Sequence, residues 1–157
     1  MIAELALMLP LMAILVLGAT DVGIIIREHQ VLQNAAREGA RFSAQPANNV
    51  SSSNPSATAN SIRDRVIAYL AQERITIPTT DCTADGTEAK RWNCGDITIR
   101  QQSPITVTVP GAGGFTVTDY GSEVSVTYNR SFLFKGGSLF KFNAVSLTGR
   151  SVFHNLY

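Results

Sequence analysis

The apolar positions of this chain are concentrated at one end. From Met1 to Ile26 the sequence MIAELALMLPLMAILVLGATDVGIII carries only two ionisable side chains, Glu4 and Asp21. It runs without a break into REHQVLQNAAREGARFSA, where Val31, Leu32, Ala35, Ala36, Ala40 and Phe42 recur largely at the spacings of an amphipathic helix. The pattern predicts one helix over residues 1–44, hydrophobic in its first half and amphipathic in its second. At about 1.5 Å per residue the apolar half reaches ~39 Å, enough to cross a hydrocarbon layer of ~30 Å. A secretory signal fits poorly, because no basic stretch precedes the apolar run and no small-residue cleavage site follows it.

Behind this helix the pattern changes twice. QPANNVSSSNPSATAN, residues 45–60, has no period and reads as a surface loop. SIRDRVIAYLAQER then places Ile62, Val66, Tyr69 and Leu70 on one stripe, with Asn60 or Ser61 as the cap. From residue 96 onward the period becomes two. DITIRQQ (96–102), SPITVTVPG (103–111, with Ile105, Val107 and Val109 on one face), FTVTD, SEVSVTYNRSFLF (122–134) and NAVSLTGRSVFHN (143–155) alternate. The turns GAGG and KGGS punctuate them. The expectation is an α+β chain: a long N-terminal helix (1–44), a loop (45–60), and a domain (61–157) with about four antiparallel strands covered by one helix.

Details of the first helix suggest more than an anchor. Glu4 is a carboxylate at the apolar tip, where a cation such as the amino terminus of a neighbouring subunit would stabilise it. Pro10 removes a backbone donor and is expected to kink or loosen the helix. Small residues, Gly18 and Gly23 among them, would let a second helix approach closely, and Leu32, Ala36 and Gly39 continue that packing face. Gly39 equally suits close packing against the chain's own domain. Asp21 either marks the membrane boundary or pairs with Arg27 of another copy.

Composition narrows the chemistry. The net charge is +1 without a basic block, which disfavours nucleic acid as a partner. Cys82 and Cys94 enclose eleven residues, including the only Trp, Trp92, expected to pack over them. The two cysteines form either a disulfide or two free thiols. A membrane anchor followed by a polar domain favours the bridge and an oxidising compartment, and such a bridge stabilises by about 3 kcal/mol in the chain-entropy model. GAGG joins two strands and is not followed by a helix with Lys-Ser/Thr, so it is a turn and not a phosphate cradle. His29 and His154 have no ligand-spaced companions, and the acids around the cysteine loop (Asp81, Asp85, Glu88, Asp96) match no calcium loop. No catalytic, metal or cofactor site is expected, and the chain reads as a structural protein and not an enzyme.

An acidic residue just inside the start, the run ELALMLPLMAILVLG, the DVG step and above all LQNAAREGARFSA together resemble the TadE-like family of pilins and pseudopilins of bacterial Tad (Flp-type) systems. The resemblance is strong over about residues 1–44 and loose over the strands. In that family a prepilin peptidase cuts after a glycine and leaves a glutamate at the fifth position of the mature chain. Here the glutamate is at position 4 and no glycine precedes it. The resemblance implies residence in the bacterial inner membrane, then assembly through the helix into an extracellular filament with copies of itself and other pilins. Its further partners would be the prepilin peptidase and the inner-membrane assembly machinery. A minor pseudopilin that primes assembly, and a membrane-anchored periplasmic binding domain that never polymerises, are the alternatives.

Overall fold

The computed structural model describes residues 2–48, 55–86, 88, 90–108, 116–132 and 144–155. Helix α1, Ile2–Ser43, is 42 residues long and continues through Pro10 without interruption. Its two halves meet different surroundings. From Met8 to Leu17 every large apolar side chain is 49–65% exposed. Leu32, Ala35, Ala36 and Ala40 are completely buried. The second half of α1 therefore belongs to the core of the body, although the pattern set it apart as a separate segment.

Helix α2, Pro55–Gln72, buries Ala59, Ile62, Val66 and Leu70. It starts six residues earlier than its apolar stripe suggests, with Pro55 at its first position, where the missing N–H is not needed. Part of the expected 45–60 loop is thus helical, and Pro46–Asn48 form a 3-10 turn; residues 49–54 lie outside the described residues. Asn60 is not a cap. It sits within α2, and its Oδ1 accepts a hydrogen bond from the Cys82 N–H at 2.9 Å. The helix ends with Arg74 in the left-handed region (φ 61°), Arg74 N–H donating to Ala71 O and Ile75 N–H to Leu70 O. This is the paired arrangement in which a helix reverses onto an apolar residue, here Ile75, which is buried.

Five strands form one antiparallel sheet in sequence order: β1 Thr83–Ala84, β2 Arg91–Cys94, β3 Ile97–Thr108, β4 Thr116–Arg130 and β5 Val145–His154. The expected four-strand meander is corrected in three ways. The cysteine loop contains a short hairpin, β1–β2. The two runs 96–102 and 103–111 contribute to one strand, and so do FTVTD and SEVSV, because Gly121 lies mid-strand and does not end β4. Two helices, not one, cover the sheet: α2 and the second half of α1 pack with it into one core that includes Trp92, Ile97, Ile99, Val124, Val126 and Leu147. The GAGG and KGGS turns lie outside the described residues.

β3 carries a bulge. Arg100 pairs with Glu123, but the next partners are Ser103 and Gly121, three residues against two. An extra residue in one strand reverses its alternation beyond that point. Ile97, Ile99 and Gln101 face the helices. Ile105 emerges on the opposite face, where its Cδ1 lies 2.6 Å from the place a Cβ on Gly121 would occupy. Gln101, buried at the bulge, is held by polar partners: its Nε2 donates to Ser43 Oγ (3.2 Å) and Asn48 O (2.6 Å), and its carbonyl O accepts from Asn155 Nδ2 (3.0 Å). Ser122 Oγ completes the group by donating to Asn155 Oδ1 at 2.8 Å. The end of α1 is thereby tied to β3, β4 and the residue after β5. These bonds satisfy polar groups that water no longer reaches.

Candidate functional site

Among the described residues, the longest exposed apolar surface is the first half of α1. Helical from Ile2, it reaches about 37 Å by Ile26, and its composition and length suffice to cross a membrane. Glu4 lies in the first turns of this helix; its side chain, and the pairing expected for it, lie outside the described residues. Around Gly18 and Gly23 there is open space, with no heavy atom within 4 Å of a Cβ built on either. A second helix would meet nothing of this chain there. Pro10 lies on the same projecting half.

The other helix positions singled out from the sequence are placed differently. Leu32, Ala36 and Gly39 were expected on a subunit-packing face, but they are buried in the chain's own core. A Cβ on Gly39 would meet Val66 Cγ2 at 2.5 Å and Val124 Cγ1 at 3.2 Å, so the neighbours of this glycine are α2 and β4. Only its other sequence reading, close packing on the domain, corresponds to these contacts.

Between the projecting half and the core, charged groups tie α1 to the body. Asp21 is 6% exposed on a helix whose neighbouring apolar residues face outward. Arg27 pairs with Glu73, just after α2, at 3.4 Å, within the same chain and largely in solvent. Glu28 pairs with Arg130 at the end of β4, both side chains mostly buried. No spacer separates the apolar half from the body, because Ile25 already packs against the core.

A glycine the sequence reading passed over is decisive for this junction. A Cβ on Gly149 of β5 would lie 2.4 Å from both the carbonyl carbon and oxygen of Leu32, and 2.8 Å from Gln33 N. The backbone of α1 therefore rests directly on β5. A lone glycine within the alternating run NAVSLTGRSVFHN is the signal that could have flagged this approach.

The disulfide Cys82–Cys94 is formed, with both sulfurs in the core beside Trp92. It closes the loop that carries Glu88. The Arg100 guanidinium, hydrogen-bonded to Glu88, holds that carboxyl below the usual carboxylate range. Glu123, across from Arg100, experiences an upward push from burial, but hydrogen bonds from Ser103 and Arg150 outweigh it and its carboxyl is also lowered. These charges lie on the face of the sheet turned away from the helices.

No curated protein and no solved structure matches the chain. Residues 1–41 match the family model described as TadE-like protein, and the match ends in the last turn of α1. The long N-terminal helix of this chain is therefore similar to the TadE-like proteins, and the similarity covers that helix alone.

Proposed function

We propose that the chain is a non-enzymatic, pilin-like subunit, held in the inner membrane by the first half of α1 and then assembled through that half into an extracellular Tad-type filament. The observation that carries this reading is the combination of a TadE-like helix with an apolar stretch, Met8 to Leu17, whose large side chains are about half exposed or more. In lipid, that surface is buried against acyl chains. In a filament it is buried against equivalent helices, so transfer between the two keeps the apolar area out of water. Open helix surface at Gly18 and Gly23 permits close approach, Glu4 sets the axial register by pairing with a neighbouring amino terminus, and Pro10 provides local give. The sheet domain forms the outer wall. Prepilin peptidase and the inner-membrane assembly machinery act before that step.

The test is electron microscopy with peptide mass analysis of filaments shed from cells expressing the native chain or Glu4→Ala. The native chain is expected as a filament component and Glu4→Ala as retained in the membrane fraction. Normal filaments from Glu4→Ala would remove the register role. Filaments devoid of the native chain would leave the membrane-anchored binding domain as the better reading. Trace stoichiometry would identify the subunit as a priming pseudopilin.

A further inference from the structure

We propose that the face of α1 at Asp21 is the docking site of residues 133–143 of this chain, the connection between β4 and β5, with Lys135 or Lys141 supplying the cation that Asp21 receives there. The face is part of a stripe. Asp21, Ile25, Glu28, Leu32 and Gly39 follow one another at steps of four, three, four and seven residues, so they share one side of the helix. From Glu28 onward that side meets the body: Glu28 pairs with Arg130, Leu32 lies under Gly149, and Gly39 meets Val66 and Val124. Ile25 still packs against the core. Asp21, one turn further out, is 6% exposed, whereas Leu17 on the same stripe is 49% exposed and Val22 beside it 55%. Cover therefore continues along the stripe past Ile25 and has ended by Leu17.

The course of the strands says which part of the chain comes to this place. β4 descends along α1 towards the N-terminal end of the helix, since Val124 lies by Gly39 and Arg130 by Glu28. β5 climbs back, since Val145 pairs with Arg130 and Gly149 lies by Leu32. The two strands are thus joined at the end of the body from which the apolar half projects. Asp21 is seven residues from Glu28, about 10 Å along the helix axis. An extended chain covers that drop in about three residues. Eleven residues separate Phe132 from Ala144, enough to reach Asp21 and return.

Charge and apolar character both favour this occupant. Residues 133–143, LFKGGSLFKFN, hold two lysines and no acid, together with Leu133, Phe134, Leu139, Phe140 and Phe142. Lys135 is five residues from Arg130 and Lys141 four from Val145, so both ammonium groups can reach the level of Asp21. A carboxylate at the edge of the hydrocarbon layer is costly unless a cation attends it. Apolar side chains that exclude water around such a pair strengthen the attraction. Arg27, the cation a second copy would bring, is already paired with Glu73 in its own chain. With the Asp21 side of α1 covered by its own chain, the side left for other copies is the one that carries Gly23, about 200° round the helix.

The experiment uses the full chain in nonionic detergent, isotope-labelled and unlabelled chains mixed, and treats it with a carbodiimide. The reagent condenses a carboxylate and an amine in contact into an amide and takes up the water as a urea. Peptide mass analysis should find Asp21 joined to Lys135 or Lys141 in cross-linked peptides of a single label. Asp21→Asn removes the charge-assisted contact and should speed tryptic cleavage after Lys135 and Lys141 about tenfold. Its melting temperature reports whether the variant is folded, and the cross-link is read on the native chain and needs no variant. The proposal is overturned if no amide joins Asp21 to either lysine, or if Asp21→Asn is folded and cleaved at the native rate. Amides that join labelled to unlabelled peptides overturn it as well, and make a second copy the occupant. Both readouts come from isolated chains, so they do not depend on the filament reading.

Discussion

Gly149 and Gly39 both stand where helix and body nearly touch, but they differ in what a methyl group would strike. At Gly39 it meets the tip of Val66, a side chain that can rotate, and an alanine in a helix gains up to about 1 kcal/mol of propensity over glycine. At Gly149 it meets the backbone of Leu32 and Gln33, which can yield only by moving the helix off the sheet. Gly149→Ala is therefore expected to destabilise by about 2–3 kcal/mol, and Gly39→Ala by less than about 1 kcal/mol. Urea unfolding in detergent would compare them, and equal losses would contradict the backbone contact. A second residue-scale prediction concerns His154 and Asp119, paired on the exposed sheet face. The Asp119 carboxylate raises the imidazole's pKa above its ordinary 6.5, and the hydrogen bond to His154 lowers the carboxyl below 3.8. The raised histidine contributes stability that is complete below about pH 6.5 and lost as pH rises through its folded value. The lowered carboxyl contributes above about pH 3.8 and loses its share as pH falls. The difference in melting temperature between the native chain and His154→Gln should be largest between those limits and fade toward alkaline pH; a difference independent of pH would rule the pair out. Its size is small, since both groups are in water.

At the scale of elements, the bulge and the disulfide hairpin decide the shape of the sheet. Gln101 is a buried residue whose side-chain amide bonds to α1 and the 3-10 turn, and whose backbone carbonyl accepts from Asn155, just after β5. Gln101→Leu removes its side-chain donors and leaves the Asn48 carbonyl and Ser43 hydroxyl without them, an expected loss of about 1–3 kcal/mol by chemical denaturation. Reduction of Cys82–Cys94 should lower stability by about 3 kcal/mol in the chain-entropy model, and it should loosen the β1–β2 hairpin before the rest. Hydrogen exchange resolved by residue would show that order, and uniform acceleration would refute it. These two elements also mark what could be read from the chain. The apolar stripe of α2 and the alternation at Val124 and Val126 give the helix and the strand, because burial on one face imposes a period. The bulge left no such trace: Ile105, Val107 and Val109 alternate in the sequence as regularly as the residues before the slip, and only pairing with β4 reveals which face Ile105 takes. RWNC, four residues long, was too short to show a period. For the assembly helix the apolar run and its TadE-like pattern were legible, whereas the division between Gly18 and Gly23 on one side and Leu32, Ala36 and Gly39 on the other depended on where the body folds back.

For the whole molecule, the boundary between removable and indispensable sequence lies within one helix. A chain lacking residues 1–20 loses the exposed apolar run Met8–Leu17 and keeps all the buried positions described in α1. It is expected to be monomeric and folded without detergent. A chain lacking residues 1–44 loses Leu32, Ala35, Ala36 and Ala40 from the core, and with them the cover over β4 and β5. It is expected to fail to fold, since exposing that sheet face forfeits well over the marginal stability of a small domain, about 5–15 kcal/mol. Circular dichroism and gel filtration of the two truncations would check this, and a folded second truncation would show that α1 is dispensable to the body.

Because α1 passes from its projecting half into the core without a joint, rotation about its axis is transmitted along its full length. Each residue advances an α-helix by about 100° and 1.5 Å. One residue inserted between Gly18 and Ala19, both exposed, would thus swing the entire sheet by about 100° around the apolar rod that precedes it, leaving the described contacts of the body intact. The direction in which the outer sheet face points is set by a count of residues in an exposed stretch of helix that is no part of that face.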